Sequence, residues 1–394
     1  MPHDERRLAW AYLSRVIEGP SRTLSTLLAS GKEVEAIATA VKKREPWIGD
    51  LLAETASRYD WNRAAQDLDD VAALGGRMIT PDDAEWPSEA LDSAFSFAAS
   101  GMSEHIRSYQ SDAIAPHVLW VKGAPLRPLT AQAVTIVGTR ALSNYGRNAT
   151  ALLTRGLVQH SWTIVSGGAL GVDTVAHEEA LAQGGSTIVV QACGLDRTYP
   201  SANTRLFRAI GNSAHSALVT EYPPGVNPQR HRFLTRNRLS AALSLGTVVT
   251  QAAWRSGALN TLSWAAGLGK VAMAVPGPIT DTNSFGCLAK IRDGDAQMVC
   301  SADEIRALLS AVGEIDVDAQ YELDFAANPI QKLSRNEMRV FDALCAQPQS
   351  ATTIAENAGL TVGLTMHLLL ELERKALIQR QRTNWVRHPN FKGY

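Results

Sequence analysis

The chain has 394 residues, with 38 lysines and arginines against 39 aspartates and glutamates, a formal net charge of −1. A single core stops growing near roughly 250–300 residues, so more than one domain is expected. Near-neutrality excludes a uniformly basic coat for nucleic acid and leaves only the distribution of charge to indicate partners.

The four cysteines, Cys193, Cys287, Cys300 and Cys345, form no CxxC pair. Scattered through apolar segments, they fit free, buried thiols in a reducing cytosol rather than a disulfide frame or a zinc site. The segment Met1-Pro2-His3-Asp4-Glu5-Arg6-Arg7 lacks the cationic-then-apolar pattern of a secretory signal. No run reaches the roughly 18 apolar residues of a membrane helix. A cytoplasmic protein without a membrane segment is therefore expected.

Residues 5–75 read as helices only. Apolar positions recur at helical spacing in Leu8, Ala11, Leu13 and Val16, and again in Leu24, Leu27 and Leu28. Glu18-Gly19-Pro20-Ser21 interrupts them with turn chemistry. From residue 130 short β-branched runs alternate with helical stretches. The predicted strands are Val134–Val137, Thr163–Val165, Thr187–Gln191, Ala217–Thr220, Thr247–Thr250 and Val271–Val275. Strands buried on both faces and separated by helices predict a doubly wound parallel sheet, here over residues 115–312. An acidic linker follows, with Glu314, Asp316, Asp318, Glu322 and Asp324. Ser334-Arg335-Asn336-Glu337 then fits a capping box opening a helix to about Cys345. A second helix is expected near Thr352–Ala358, and a third from a Thr361 cap through Arg374. Leu377–Arg380 and Asn384–Val386 read as a hairpin. Helix, helix-turn-helix and hairpin make a winged-helix plan.

The strongest signal is an absence. The 59 residues from Tyr222 to Thr280 contain no Asp or Glu, yet hold Arg230, Arg232, Arg236, Arg238, Arg255 and Lys270. Arginine suits phosphate because its planar fork donates two parallel hydrogen bonds. Phe233, among these arginines, offers a stacking face for a base. With no nearby acid to compensate, the cluster predicts an anion site over a merely solvated face. Two glycine loops add to it. Val137-Gly138-Thr139-Arg140 ends one strand, with Ser143 placed to cap the next helix. Val165-Ser166-Gly167-Gly168-Ala169 ends another, before a helix from about Val172. Such strand ends bring backbone N–H groups and a positive helix end together, and glycine lets the chain approach an anion closely.

Neither loop carries the GxGxxG or Walker pattern, so nicotinamide redox chemistry and ATP hydrolysis lack support. Asp173 and His177 share a helix face without a convincing third metal ligand, and Asp173 is accounted for by the helix dipole. No catalytic triad is recognisable by spacing. Residues 330–394 carry nine bases and five acids. The third C-terminal helix is poor in side chains that read bases, which favours a protein contact or weak DNA binding.

Taken in order, the motifs resemble those of the DprA/Smf family. Ile136-Val137-Gly138-Thr139-Arg140 with Tyr145-Gly146 is similar to the family's opening motif. Ser166-Gly167-Gly168-Ala169 with Gly171-Val172-Asp173 and Ala176-His177 follows. Gly194-Leu195-Asp196 with Tyr199-Pro200, and Glu221-Tyr222-Pro223-Pro224-Gly225, come next. The most specific is Phe233 with Arg236-Asn237-Arg238. Ser256-Gly257-Ala258 and Ala274-Val275-Pro276-Gly277 complete the series. Upstream, Ile79-Thr80-Pro81, Trp86-Pro87 and Leu119-Trp120-Val121-Lys122-Gly123 also match.

The resemblance implies an α/β protein in four parts. These are a helical SAM-like domain (1–75), an extended Rossmann-like single-stranded-DNA-binding domain (76–312), the linker (313–331) and a winged helix (332–394). It further implies a homodimer that binds and protects single-stranded DNA, displaces single-strand-binding protein and loads RecA recombinase during natural transformation. The candidate DNA-binding set is Gly138, Thr139, Arg140, Ser166, Gly167, Gly168, Arg230, Arg232, Phe233, Arg236, Asn237, Arg238, Ser256 and Gly257. No catalytic residue, metal or cofactor is expected. Leu234 stands where the family usually has proline, Gln251 where glutamate is common, and Phe285-Gly286-Cys287-Leu288 where Gly-x-Asn is frequent. Two other readings remain: a nucleotide phosphoribohydrolase of the LOG type, for which Gln251 lacks the required carboxylate, and a winged-helix transcriptional regulator.

Overall fold

The structure, a computed structural model, describes residues 3–102, 112–310, 330, 333–345 and 347–389. Residues 1–312 and 313–394 form two compact units. The acidic run of the expected linker lies outside the described residues.

The first unit is built on a nine-stranded sheet. Its strands are β1 (Gly76–Ile79), β2 (Leu119–Gly123), β3 (Ala133–Val137), β4 (Thr163–Ser166), β5 (Thr187–Val190), β6 (Ala217–Thr220), β7 (Gly246–Val249), β8 (Val271–Ala274) and β9 (Gln297–Met298), in the order β1-β2-β6-β5-β4-β3-β7-β8-β9. From β6 to β9 all neighbours are parallel, while β1 and β2 add antiparallel pairs at one edge. The six predicted strands are β3 to β8, with ends shifted by a residue or so. The edge strands β1 and β9 carry no strand signal of their own in the sequence; β2, between β1 and β6, falls in the Leu119-Trp120-Val121-Lys122-Gly123 motif and adds to the six predicted strands.

Both faces of the sheet are covered, as a doubly wound fold requires. On one face Val165, Ile188 and Val219 pack with Leu239, Ala242, Trp264 and Leu268 from the helices Arg230–Ala242 and Ala258–Gly267. On the other, Val134, Ile136 and Ile164 pack with Leu153, Leu157 and Ala176 from Asn144–Gln159 and Val172–Ala182. Alternate residues of one strand, such as Ile164 and Val165, therefore serve opposite cores.

The N-terminal helices, Glu5–Val16 through Ala64–Ala73, close over a third core. Met78 of β1 with Val118 and Trp120 of the β2 segment belong to that core. The buried Trp120 indole donates to Ser14 Oγ at 3.1 Å. Arg15 and Asp67, both almost fully buried, pair through two hydrogen bonds at 2.5 and 2.8 Å. The helical region thus shares its core with the sheet's antiparallel edge.

The second unit has helices Arg335–Ala343, Ala351–Ala358 and Val362–Arg374, then an antiparallel pair, β10 (Ile378–Gln381) and β11 (Asn384–Arg387). The capping box is formed, with Ser334 accepting from the Glu337 amide while Glu337 accepts from the Ser334 amide. Thr361 caps the third helix as its sequence predicts. Val340, Phe341, Leu369, Leu372 and Trp385 make a core of its own. All four cysteines are free, but only Cys193 and Cys287 are buried. Among the described residues no helix is long and apolar enough to cross a membrane.

Candidate functional site

The chain runs β3, β4, β5, β6 toward one side of the sheet and β7, β8, β9 toward the other. Strand order therefore reverses where β3 meets β7, and in such sheets ligands sit beyond the carboxyl ends of the strands at that point. A cleft of about 860 Å³ opens there. The loop after β3 contributes Gly138 and Arg140, the loop after β4 contributes Gly167 and Ala169, and the turn after β7 contributes Arg255, Ser256 and Gly257. One wall is the Arg230–Ala242 helix, with Arg230, Phe233, Leu234, Arg236, Asn237 and Ser240.

The arginines divide into two kinds. Arg140, Arg230 and Arg255 line the cleft, are exposed, and have no carboxylate partner among the described residues. Arg140 lies over Phe233 with its guanidinium carbon 6.0 Å from the ring centre, and Tyr199 packs on Phe233 at 5.3 Å between centroids. Cations and two aromatic faces thus share one wall. Tyr199 and Arg255 are not in the sequence-derived set, although Tyr199 belongs to a quoted motif and Arg255 to the acid-free stretch.

Arg232 and Arg238 correct the view that no acid compensates the cluster. Arg238 is fully buried and donates to both oxygens of Glu221 at 2.6 Å and to the Asp112 carbonyl at 2.8 Å. Arg232 donates to Glu18 at 2.6 and 2.9 Å. Neither lines the cleft. The compensating acids were hidden because one immediately precedes the acid-free stretch and the other is 214 positions away.

Arg236 occupies an intermediate place. It reaches the cleft floor but is only 6% exposed, and it donates to the Gly167 carbonyl at 2.8 Å and to the Val190 carbonyl. Its guanidinium holds the end of β5 and the loop after β4 together, so it shapes the cleft more than it offers charge. A Cβ on Gly167 would stand 2.3 Å from the Arg236 Nη1. Gly167→Ala is therefore expected to lower stability by about 1–3 kcal/mol, the usual cost of overpacking. In urea titrations, Arg236→Ala added to it should cost less than the two single losses summed, because the clash is gone.

The glycine loops also differ from expectation. The Ala169 amide donates to the Asp173 carboxylate at 3.2 Å, and backbone at Gly167 also supports that carboxylate. An internal carboxylate thus takes hydrogen bonds that the sequence assigns to a bound anion. Burial pushes the Asp173 carboxyl up, with the charge of Arg236 pulling against it. Thr139 donates its amide to the Gln251 carbonyl at 2.7 Å, and the Ser166 hydroxyl donates to the Ile136 carbonyl at 2.6 Å. Gly168, at φ +70°, packs against Phe207. Thr139, Ser166 and Gly168 shape the loops and do not line the cleft. Asn237 lines it and donates to Asn260 at 3.1 Å.

His177 is fully buried, hydrogen-bonds Thr187 at 2.7 Å through Nδ1, and is pushed down to about 3 by burial and then by Arg236. It stays neutral. No group of three or more His, Cys, Asp or Glu residues that could hold a metal occurs among the described residues. Gln251 accepts from the Ser143 amide at 3.1 Å and donates to Ser143 Oγ at 2.7 Å and to Asp281 at 2.9 Å.

The N-terminal turn has a definite role. Glu18 gathers Arg232, His231 at 3.1 Å, and Arg58, tying the helical region to the outer side of the cleft helix. Burial raises the Glu18 carboxyl, but the bonds from His231, Arg232 and Arg58 outweigh it and hold the group at about 2. A depressed carboxyl contributes stability that is present above its ordinary value of 4.5 and is lost as pH falls toward 2. The stability gap between the native chain and Glu18→Gln should therefore close as pH falls from about 4.5 toward 2, read from urea midpoints.

Comparison with known proteins agrees with this geometry. The family model for DNA recombination-mediator protein A matches residues 77–310. A DprA-named protein of Mycobacterium tuberculosis is 40% identical over 386 residues, covering 97% of this chain and 94% of that one. The Smf protein of Escherichia coli is 33% identical over 277 residues, covering 69% and 72%. The crystal structure of DNA processing protein A from Streptococcus pneumoniae superposes with a TM-score of 0.60 at 29% identity, over 79% of this chain and 100% of that one. The chain belongs to the DNA recombination-mediator protein A family, the DprA/Smf group of DNA-processing proteins.

Proposed function

We propose that this protein binds single-stranded DNA without regard to sequence, shields it, and passes it to RecA recombinase during natural transformation, displacing single-strand-binding protein. The observation that carries the reading is the cleft, which exposed Arg140, Arg230 and Arg255 line together with the Phe233–Tyr199 pair. Cations without a carboxylate partner among the described residues, beside a half-buried Phe233 and an exposed Tyr199, suit a strand whose phosphates need neutralising and whose bases are free to stack. In a duplex the bases are stacked on one another and inaccessible to Phe233.

The chemistry proposed is binding alone, in the cytoplasm and without a cofactor. Gln251 is a neutral amide engaged by Ser143 and Asp281, which weighs against a phosphoribohydrolase that needs a carboxylate beside the ribose. We read the second unit as a winged helix that contacts protein, because its third helix presents Val362, Leu364 and Leu370 outward. A homodimer would place two clefts on one strand and raise affinity through effective concentration. RecA filament assembly on a single strand coated with single-strand-binding protein tests the loading step. The native chain should shorten the lag, and Arg140→Ala/Arg230→Ala should not. An unchanged lag with the native chain would refute loading.

A further inference from the structure

Trp254 has no place in the contacts above. It is 59% exposed, an unusual position for the largest side chain in a folded unit. It sits in the tight turn after β7, where the Ser256 amide donates to the Ala253 carbonyl at 3.0 Å. Trp254 and Arg255 are the two corner residues of that turn, so both side chains project from it. The turn is firmly seated, since the Ala252 carbonyl accepts from the Gly286 amide at 2.8 Å. A Cβ on Gly286 would come within 2.6 Å of the Ala253 carbonyl oxygen, so glycine alone permits this approach. An exposed indole is thus held on a rigid support directly beside a cation that lines the cleft.

The cleft already carries an aromatic station, Phe233 against Tyr199, with Arg140 over Phe233 and Arg230 on the same helix. Arg255, Ser256 and Gly257 line the same cleft. The cleft and the turn beside it therefore each set exposed aromatic surface, Tyr199 and Trp254, near an exposed arginine. A single strand repeats the same pairing, a π-face and a phosphate for every nucleotide. We propose that Trp254 is a second base-stacking station, which receives a nucleotide leaving the cleft while Arg255 holds the adjoining phosphate. This rests on the single-strand reading above and extends its footprint beyond the Phe233 wall.

The test uses the full chain, with fluorescence anisotropy of labelled oligothymidylates lengthened one nucleotide at a time. The native affinity should rise with length and then level off. Trp254→Ala should level off one or two nucleotides earlier and end roughly tenfold weaker, with the salt slope unchanged, because stacking releases no counterions. Trp254→Phe should restore most of the loss. Four results would overturn the proposal. Trp254→Ala could match the native curve at every length. Its loss could come with a flatter salt slope, which would assign the effect to a displaced Arg255. DNA binding could stay intact while sedimentation changes, marking the turn as a protein contact. Finally, a native chain that binds no oligothymidylate would remove the single-strand reading itself, whereas the first three leave that reading standing.

Discussion

Replacing Arg140 and Arg230 together with alanine is expected to weaken single-strand binding by about a hundredfold, taking roughly tenfold for each lost charged contact. Both side chains line the cleft, both are exposed, and neither meets a carboxylate among the described residues. Their charge is free for phosphate. For single strands each phosphate contact contributes ~0.7 to the slope of log affinity against log salt, so the double variant should flatten it by ~1.4. Folding should hardly notice, since surface substitutions of this kind stay within about 0.5 kcal/mol. Arg236→Ala gives the contrasting result. It removes a buried donor to two carbonyls, so stability falls while the salt slope barely moves. Anisotropy over a salt series, paired with urea unfolding, separates the two kinds of arginine.

The largest stability effect is expected at Glu221. Glu221→Ala leaves Arg238 fully buried without its counter-charge, and breaking a buried pair from one side costs about 3–5 kcal/mol. Arg238 keeps the Asp112 carbonyl, the more distant charge of Asp112 and its place 5.8 Å from the Phe95 ring centre. Replacing both partners, as Glu221→Leu with Arg238→Met, should recover much of the loss, since apolar groups of similar volume often substitute for a buried pair at little cost. Because Arg238 does not line the cleft, the salt slope of that double variant should match the native one. A fall in slope would mean that Arg238 reaches DNA after all.

The contrast between the arginines shows how far the sequence could be read. Residues 230–238 present their arginines as one linear cluster, but a helix sorts them by phase. Arg230, Phe233, Asn237 and Ser240 follow the i, i+3, i+7 rhythm and share the cleft face, while Arg232 and Arg238 fall off it. That phase was available from the sequence; the partners were not. Glu18 meets Arg232 only because the N-terminal helices fold back on the sheet. The central strands were legible because burial on both faces makes them continuous apolar runs. β1, Gly76-Arg77-Met78-Ile79, mixes polar with apolar residues, and β9 has only two residues, both exposed, so neither leaves such a run. The glycine loops were rightly placed at strand ends. No spacing rule could reveal that Asp173 would occupy the concavity of the second.

The central claim is that this cleft prefers a single strand. Competition in anisotropy between single-stranded and duplex DNA of one sequence, across a salt series, tests it most directly. The single strand should bind more tightly at every salt concentration, with affinity falling steeply as salt rises. Equal or tighter binding of the duplex, or affinity indifferent to salt, would contradict it.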